Sequence, residues 1–201
     1  MKIIVIGATG TIGVEVVKAL SASKYEVIHA SRSGEVKVNL EDTASIHAMF
    51  DNFQDIDAVI SCAGSAAFRP FADLTDADYE LGLRSKLMGQ VSLAGIAKDH
   101  LHDGGSITLT TGMLAMHPMP GSASVSMVNA GLEGFVRAAA LEMPRNLRIN
   151  AVSPPWVKET MVKLGMDPTS GLASAEVAKA YVAAVEGSHQ GVILDPHRLG
   201  K

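Results

Sequence analysis

The stretch that decides the fold is VIGATGTIG at residues 5–13. It follows the apolar run KIIVI and precedes an amphipathic stretch, so its glycines fall in a turn between a strand and a helix. Gly7, Gly10 and Gly13 allow a tight turn, a close approach of backbone N–H groups to a pyrophosphate, and close packing of the helix on the strand. The motif predicts dinucleotide binding, and the alternative is a glycine-rich turn with a structural role only.

Short β-branched runs alternate with longer amphipathic stretches along the whole chain. We expect strands at 2–6, 26–30, 36–38, 57–61, 106–110, 147–152 and 191–194. We expect helices at about 11–22, 43–53, 75–99, 124–142 and 174–186, with helix starts at Thr75–Asp78 and Ser174. This alternation predicts an α/β fold: a single doubly wound parallel β-sheet of about seven strands, a Rossmann fold with helices on both faces.

The bulk properties agree with one domain over residues 1–201. A chain of 201 residues is long enough for one well-buried core, and 47% of its residues are hydrophobic while 19% are charged. The segment 153–173, SPPWVKETMVKLGMDPTSGLA, is rich in Pro and Gly and is predicted to be a loop. Such loops lie at the carboxyl edge of a doubly wound sheet, so this one is a candidate lid.

Charge and cysteine content argue against several classes of protein. The net charge is −4 with scattered Lys and Arg, which does not favour nucleic acid or an anionic membrane as partner. Cys62 is the only cysteine, and the opening apolar run is too short for a secretion signal, so we expect a cytoplasmic protein without disulfides. His100 and His102 are two residues apart, a spacing that does not place them on one helical face, and no metal site is predicted.

The end of the second expected strand indicates which dinucleotide is bound. NAD-binding sheets usually carry an acidic residue there, whereas this chain has ASRSG at 30–34 and no acid before Glu35. Ser31, Arg32 and Ser33 offer hydroxyls and a guanidinium that suit a 2′-phosphate. We therefore expect NADP(H), the alternative being that Arg32 is an ordinary surface arginine.

Four motifs together resemble those of the short-chain dehydrogenase/reductase family. They are GATGTIG, SCAG at 61–64, NAGLEGFVRAAALE at 129–142 and RINAVSPPWV at 148–157, and they occur in that family's order over nearly the whole chain. The motifs depart from the family pattern in several places: SCAG stands in place of NNAG, and the glycine spacing of three then three resembles the extended and atypical branches. Pro155 stands where Gly is usual, and Asn39 replaces an Asp that borders the adenine pocket.

The resemblance implies a set of cofactor-binding positions. They comprise the glycine loop, the end of the second strand, the adenine border, the SCAG turn and the ends of the fifth and sixth strands: Gly7, Thr9, Gly10, Thr11, Ile12, Gly13, Ser31, Arg32, Ser33, Asn39, Leu40, Cys62, Ala63, Gly64, Thr110, Pro154 and Val157.

The resemblance also implies an unusual active site. The family's catalytic tetrad is Asn, Ser, Tyr and Lys, and here the tyrosine position falls on Val125 and the lysine position on Asn129. The serine position falls on Thr111, within one residue, and the asparagine position on Lys86. Valine cannot donate a proton and asparagine carries no charge, so the chain resembles an atypical subgroup that lacks the usual Tyr and Lys.

Three hypotheses about function follow. The first is an NADP(H)-dependent oxidoreductase acting on a small carbonyl or alcohol, with Lys86, Thr111, Asn129 and His117 as the candidate catalytic residues. The second is an inactive NADP(H)-binding sensor that acts through a partner, and the third is a Rossmann scaffold that no longer binds nucleotide. Against the first, Lys86 could pair with a carboxylate of its own helix, Thr111 could bond only backbone, and His117 could be loop surface.

The resemblance further implies self-association. In that family the two long helices, here 75–99 and 124–142, form a four-helix interface, so we expect a homodimer or homotetramer. The alternative is that the small residues of 129–141 only pack on the sheet.

Overall fold

Seven strands form the sheet of this protein, whose computed structural model describes residues 1–199. They are β1 Lys2–Ile6, β2 Glu26–Ser31, β3 Val36–Lys37, β4 Ile56–Ser61, β5 Leu101–Thr110, β6 Arg148–Val152 and β7 Ile193–Leu194. All neighbouring strands are parallel, in the order β3-β2-β1-β4-β5-β6-β7. The predicted doubly wound sheet is confirmed, and its order reverses between β1 and β4, the point where such sheets bind ligands.

Helices cover both faces of the sheet. They are α1 Thr11–Ala22, α2 Thr43–Asp51, α3 Asp76–Gly82, α4 Gly89–His100, α5 Ala123–Ala139, α6 Lys158–Lys163 and α7 Ser174–Glu186. A π-helical turn, Leu83–Met88, joins α3 to α4, so the helix expected at 75–99 is continuous but wider in its middle. No helix among residues 1–199 is long and apolar enough to span a bilayer.

The alternation of β1 shows how the two layers are built. Ile4 and Ile6 are fully buried with residues of α2, α4 and α5, whereas Ile3 and Val5 are buried with residues of α1 and α7. Successive side chains of a strand point to opposite faces, so one apolar strand contributes to two cores. Packing on both faces therefore fixes the position of β1 and of the sheet edge at its carboxyl end.

Several expected boundaries are wrong by a few residues, such as the helix expected at 124–142, which ends at Ala139, and two further expectations fail by more. Strand β5 begins at Leu101 rather than 106, because Leu101 pairs with Ile56 across an irregularity in the ladder and Arg145 donates to its carbonyl at 2.8 Å. The 153–173 segment is not simply a loop: it contains α6, whose Met161 is buried, and a 3₁₀ turn at Pro168–Ser170. A bridge between Val157 and Leu172 closes this segment on itself, a contact that the local sequence does not reveal.

The two helix starts singled out in the sequence differ. The Thr75–Asp78 capping box is present, with each side chain bonded to the other residue's backbone N–H. Ser174 does not cap its own helix: its N–H donates to the Glu159 carboxylate at 3.0 and 3.2 Å. Helix α7 is therefore capped from α6, which ties the 153–173 segment to the start of α7.

Candidate active site

A cavity of about 260 Å³ opens at the carboxyl edge of the sheet, beside β1 and β2. It brings together most of the expected cofactor-binding residues: Gly7, Thr9, Gly10, Ser31, Arg32, Ser33, Asn39, Leu40, Cys62, Ala63 and Gly64. Ser65 and Ser85 also line it, and the sequence reading did not include them.

The glycine loop at the floor of this cavity needs its glycines. Gly7 has a φ of +79°, and a Cβ on Gly13 would lie 2.0 Å from the Gly7 carbonyl oxygen. Gly10 donates its N–H to that same oxygen at 2.9 Å, and no side chain caps α1. The first turn of α1 therefore keeps N–H groups for an anion, and a side chain at Gly13 would separate the helix from the strand.

The far end of the cavity has the polar character expected for a phosphate. Ser31 is 6% exposed, and its hydroxyl has no hydrogen-bond partner among residues 1–199. Arg32 is exposed beside it, while Glu35 does not line the cavity. A buried hydroxyl without a partner is costly, so its position favours a ligand that supplies one.

Asn39 and Glu41 lie at the rim of the same cavity. The Asn39 side chain accepts from the Glu41 N–H at 3.2 Å, and the Asn39 N–H donates to Ser45 Oγ at 2.9 Å. Asn39 thus holds the turn after β3, and Glu41 is the one carboxylate that the described residues contribute to this cavity.

A second cavity, of about 250 Å³, adjoins the first along Cys62, Ala63 and Gly64. It contains the four tetrad positions and four further residues expected at the cofactor site: Lys86, Thr111, Val125, Asn129, Ile12, Thr110, Pro154 and Val157. The two cavities form one cleft from Arg32 to the far side of Lys86, and Lys86 is the only charged side chain that the described residues place in the second part.

Lys86 lies on the π-helical turn and is held against the sheet edge. Gly64 has a φ of +133°, and a Cβ there would lie 3.1 Å from the Lys86 Cα, so glycine permits the close approach. The buried Gln90 amide donates to the carbonyls of Lys86 and Thr110, at 3.1 and 2.9 Å, and accepts from the Thr110 N–H at 2.8 Å. Gln90 therefore fixes the turn that carries Lys86 to the end of β5.

The Lys86 ammonium is a cation without a counter-charge. Its Nζ donates to the Thr111 carbonyl at 3.2 Å, and none of the ion pairs among residues 1–199 includes it. Desolvation by burial lowers its pKa to about 8. The expected alternative, a carboxylate partner on the same helix, is absent from the described residues.

Thr111 and Asn129 complete the polar part of this cavity. The Thr111 hydroxyl lies 3.4 Å from both Glu133 Oε1 and the Val152 carbonyl, so it is loosely held. Asn129 is 2% exposed, donates weakly to the Gly112 carbonyl at 3.5 Å, and has no described partner for its Oδ1. The lining of the cavity therefore contains both the Lys86 ammonium and a buried amide oxygen that has no described partner.

The wall behind the cavity contains a network that the sequence reading missed. The fully buried Tyr181 hydroxyl lies 2.7 Å from Thr110 Oγ1, which donates to the Ser61 carbonyl. Burial raises the pKa of the Cys62 thiol to about 12, so this thiol stays protonated and unreactive at neutral pH. The network braces the ends of β4 and β5, and its only sequence signal was an aromatic residue inside an alanine-rich helix.

The mouth of the cavity is aromatic. Trp156, which lines the cavity, packs edge-on against Phe68 with ring centroids 5.7 Å apart and an interplanar angle of 88°. The sequence reading treated Trp156 only as part of a family motif and did not single out Phe68. These rings come from two different loops, so no local pattern predicts their contact.

Three residues named from the sequence lie outside the cavity linings. His117 is exposed on the loop after β5 and contributes nothing to either cavity, so it has no access to a reacting atom in this structure. Gly13 serves the packing of α1, and the Thr11 hydroxyl accepts from Lys163 Nζ of α6 at 2.7 Å. The last contact joins the 153–173 segment to the glycine loop.

The histidine pair at 100 and 102 has other partners than a metal. His100 stacks on Phe50 at 4.9 Å, and His102 bridges Asp55 and Asp57 at 3.1 and 3.2 Å. These two carboxylates raise the pKa of His102. Residues 1–199 contain no cluster of three or more His, Cys, Asp or Glu that could hold a metal ion.

A doubly wound sheet with this glycine loop and this cleft defines a dinucleotide-binding Rossmann protein. Comparison with known families gives a narrower assignment, since the family model described as "Enoyl-(Acyl carrier protein) reductase" matches residues 7–184. The chain belongs to the short-chain dehydrogenase/reductase family.

Solved structures agree over nearly the full length. The chain is similar to the protein lin1944 from Listeria innocua, with 38% identity, a TM-score of 0.92, and coverage of 97% of this chain and 98% of that one. It is also similar to a small-chain dehydrogenase solved in complex with NADPH, with 25% identity, a TM-score of 0.85, and coverage of 97% and 95%.

Curated relatives are longer than this chain. The chain is 30% identical over 137 residues to the hydroxynaphthalene reductase-like protein Arp2 of Metarhizium brunneum, and the matched region covers 65% of this chain and 51% of that protein. It is 28% identical over 174 residues to the hydroxynaphthalene reductase arp2 of Aspergillus fumigatus, covering 83% and 63%. It thus spans half to under two thirds of the length of these relatives.

Proposed function

We propose that this protein is an NADP(H)-dependent oxidoreductase that acts on a small carbonyl or alcohol through a non-standard active site. The observation that carries the proposal is the continuous cleft, which runs from Ser31 and Arg32 past the glycine loop to the unpaired Lys86. Such a cleft suits a dinucleotide at one end and a reacting oxygen at the other.

The cofactor assignment rests on the polar end of the cleft. The N–H groups at the start of α1 would hold the pyrophosphate, and Arg32 with the unpartnered Ser31 hydroxyl would hold a 2′-phosphate. The NADPH complex of a similar dehydrogenase supports the same choice. Bound at this site, the nicotinamide supplies hydride chemistry.

The chain's own residues would handle the substrate oxygen. Lys86 Nζ has hydrogen-bonding capacity beyond its bond to Thr111, so it can donate to a carbonyl oxygen, and its lowered pKa makes proton donation easier at neutral pH. Asn129 Oδ1 can accept from a hydroxyl of the substrate or of a ribose, which would satisfy it. Thr111 would supply a second donor after a small rotation of its hydroxyl.

The site would be atypical because it lacks the family's phenol. Val125 presents an apolar surface where the resemblance expects a tyrosine, and Asn129 an amide where it expects a lysine. General acid catalysis typically contributes 10²–10⁴-fold, so a site that relies on Lys86 would be slower without losing hydride transfer. A cation and an amide are retained, with their places exchanged.

The form of the substrate is suggested by the cavity mouth. Trp156 and Phe68 offer aromatic surface, and two relatives are named as a hydroxynaphthalene reductase and a hydroxynaphthalene reductase-like protein, so a ring-shaped carbonyl compound is the first class to test. Because the family model is described as an enoyl-(acyl carrier protein) reductase, an enoyl thioester belongs in the same screen.

An inactive NADP(H) sensor is the second candidate. It is favoured by one observation, the apolar Val125 beside an otherwise intact cleft. A sensor would bind the nucleotide and show no turnover with any compound of the screen.

We also propose self-association through the helices at 75–99 and 124–142. Exposed apolar side chains on these helices support it: Leu81, Leu83, Met88 and Met127. Size measurement by light scattering tests it, and a monomer at micromolar concentration would contradict it.

The test of the oxidoreductase proposal combines binding with turnover. NADPH oxidation is followed in the presence of the screen of ring ketones, quinones and enoyl thioesters, with the unaltered protein, Lys86→Met and Lys98→Met. Lys98 lies on α4 and pairs with the exposed Asp99, so it serves as the matched control. We expect turnover that Lys86→Met lowers at least tenfold and Lys98→Met leaves unchanged; nucleotide binding without turnover would favour the sensor.

A further inference from the structure

The charge of the second cavity distinguishes the two redox states of a nicotinamide nucleotide. NADP⁺ and NADPH carry the same phosphates and adenosine, and they differ at the ring, which is a cation when oxidised and neutral when reduced. Ser31, Arg32 and the start of α1 at Thr11 therefore meet identical groups in both. Only a residue near the ring can separate the two states by charge.

The layout of the cleft assigns the ring to the part that contains Lys86. The first cavity offers an anion site at the glycine loop and a phosphate site at Arg32, which account for the pyrophosphate and the adenosine end. The two cavities join only along Cys62, Ala63 and Gly64, and beyond this junction lies the cavity that Lys86, Thr111 and Asn129 share.

Lys86 faces that space with a charge that the protein does not balance. The described residues provide no carboxylate in ion-pair contact with it, and the lining of the second cavity contains no acidic side chain from them. The one buried carboxylate of the described residues, Glu133, is bonded to Arg137 at 2.9 Å and lies 3.4 Å from the Thr111 hydroxyl. A second cation in this partly dry cavity would be repelled.

We infer that Lys86 makes this site selective for the redox state of the cofactor, so that it binds NADPH more tightly than NADP⁺. The inference rests on the proposed function, because it requires that the cleft binds the nucleotide. Such selectivity would retain the reduced nucleotide and release the oxidised one, as a reductase or a sensor of reducing power requires.

The size of the selectivity has a natural limit. When the cationic ring binds, the Lys86 ammonium can lose its proton, which removes the repulsion between the two cations. Because the pKa of Lys86 is about 8, this deprotonation lowers the affinity for NADP⁺ by only about tenfold at pH 7. We therefore expect about tenfold weaker binding of NADP⁺, accompanied by release of a proton. Binding of NADPH leaves the ammonium charged and releases none.

Other titratable groups around the cavity do not provide this proton. Burial raises the pKa of Cys62 and of Tyr181, which stay protonated with either nucleotide. Glu133 stays paired with Arg137, and Arg84, on the same π-helical turn as Lys86, is exposed. A proton released when NADP⁺ binds is therefore attributed to Lys86.

The test is calorimetry of NADPH and NADP⁺ at pH 7, in two buffers of different ionisation enthalpy. It uses the unaltered protein, Lys86→Met, the charge-preserving Lys86→Arg, and Lys98→Met as control. We expect the Kd ratio of NADP⁺ to NADPH to be about ten in the unaltered protein and Lys98→Met, at least ten in Lys86→Arg, and about one in Lys86→Met. Proton release on NADP⁺ binding is measured on the unaltered protein, so that arm does not depend on the folding of a variant.

Three results would count against the inference, in distinguishable ways. An unchanged ratio in folded Lys86→Met, or equal proton release for both nucleotides in the unaltered protein, would overturn it while leaving nucleotide binding intact. Binding of neither nucleotide to the unaltered protein would overturn the proposed function and the inference together.

Discussion

The Lys86 ammonium lies 3.2 Å from the Thr111 carbonyl oxygen, and this is its one hydrogen bond to the described residues. The contact joins the π-helical turn to the end of β5 at the carboxyl edge of the sheet, where doubly wound sheets generally bind ligands. Lys86 is half-buried, so the contact leaves its ammonium partly desolvated without a compensating charge, which is unfavourable for stability. A cost of this kind is typical of sites where the charge serves a ligand.

The first prediction concerns stability and pH. Burial lowers the pKa of Lys86 from 10.5 to about 8, so between these values the unfolded chain binds more protons than the folded one, and stability rises with pH. Lys86→Met removes this dependence. We expect the variant to be more stable by at most about 3 kcal/mol below pH 8.

Denaturant unfolding of both proteins from pH 7 to pH 10.5 measures this effect. The advantage of Lys86→Met is expected to shrink steadily as pH rises from 8 to 10.5. A difference that stays constant over this range would mean that Lys86 titrates normally in the folded protein.

The second prediction concerns Gln90. Gln90→Leu removes the partners of the Thr110 N–H and of two carbonyls, and leaving buried polar groups unpaired costs about 1–3 kcal/mol each. We expect a loss of at least about 3 kcal/mol in the free energy of unfolding. The turn that carries Lys86 should also loosen, so the Kd ratio of NADP⁺ to NADPH should fall from about ten toward one.

Gln190→Leu is the matched control for Gln90→Leu. Gln190 also bridges backbone groups, the Ile149 N–H and the Ala140 carbonyl, but it is exposed and remote from the cleft. It should lower stability less and leave the affinity ratio alone. Equal effects of both variants on the ratio would show that Gln90 has no positioning role.

The third prediction concerns Gly64. Gly64→Ala places a Cβ 3.1 Å from the Lys86 Cα on a backbone with a φ of +133°, so both strain and contact oppose it. We expect a loss of about 1–3 kcal/mol and weaker binding of either nucleotide. Gly95→Ala meets nothing within 4 Å inside α4 and should keep or slightly raise stability. A Gly64→Ala protein as stable as Gly95→Ala would contradict the close approach.

The fourth prediction concerns the aromatic mouth. Trp156→Ala removes ring surface from the substrate side of the cleft, where Trp156 contacts Phe68. We expect KM for a ring-shaped substrate to rise several-fold while the Kd for NADPH, measured by calorimetry, stays within about twofold. A change confined to NADPH binding would place Trp156 on the cofactor rather than on the substrate.

The fold could be read from the sequence because its signals are local and mutually consistent. The alternating β-branched and amphipathic runs predicted β1, α1 and α7 to the residue, and the glycine spacing of 5–13 located the switch point. The misses were non-local: α6 depends on the Val157–Leu172 bridge, and the early start of β5 on Arg145. Neither contact produces a periodic pattern in the sequence.

The site could be read only in part for the same reason. The family motifs predicted that Lys86, Thr111 and Asn129 share one site, and in the structure all three line the second cavity. His117 was chosen for its chemistry alone, and the loop turns it to solvent. Gln90 and Tyr181 escaped notice because a buried polar residue has meaning only through its partners, which lie 20 and 71 residues away.

The measurement that tests the central claim most directly is the binding of NADPH and NADH to the unaltered protein and to Arg32→Ala. The account predicts tight binding of NADPH, much weaker binding of NADH, and loss of most of this preference in Arg32→Ala, because the guanidinium and Ser31 hold the 2′-phosphate. Equal affinity for both nucleotides, or a preference that survives in Arg32→Ala, would contradict the cofactor assignment.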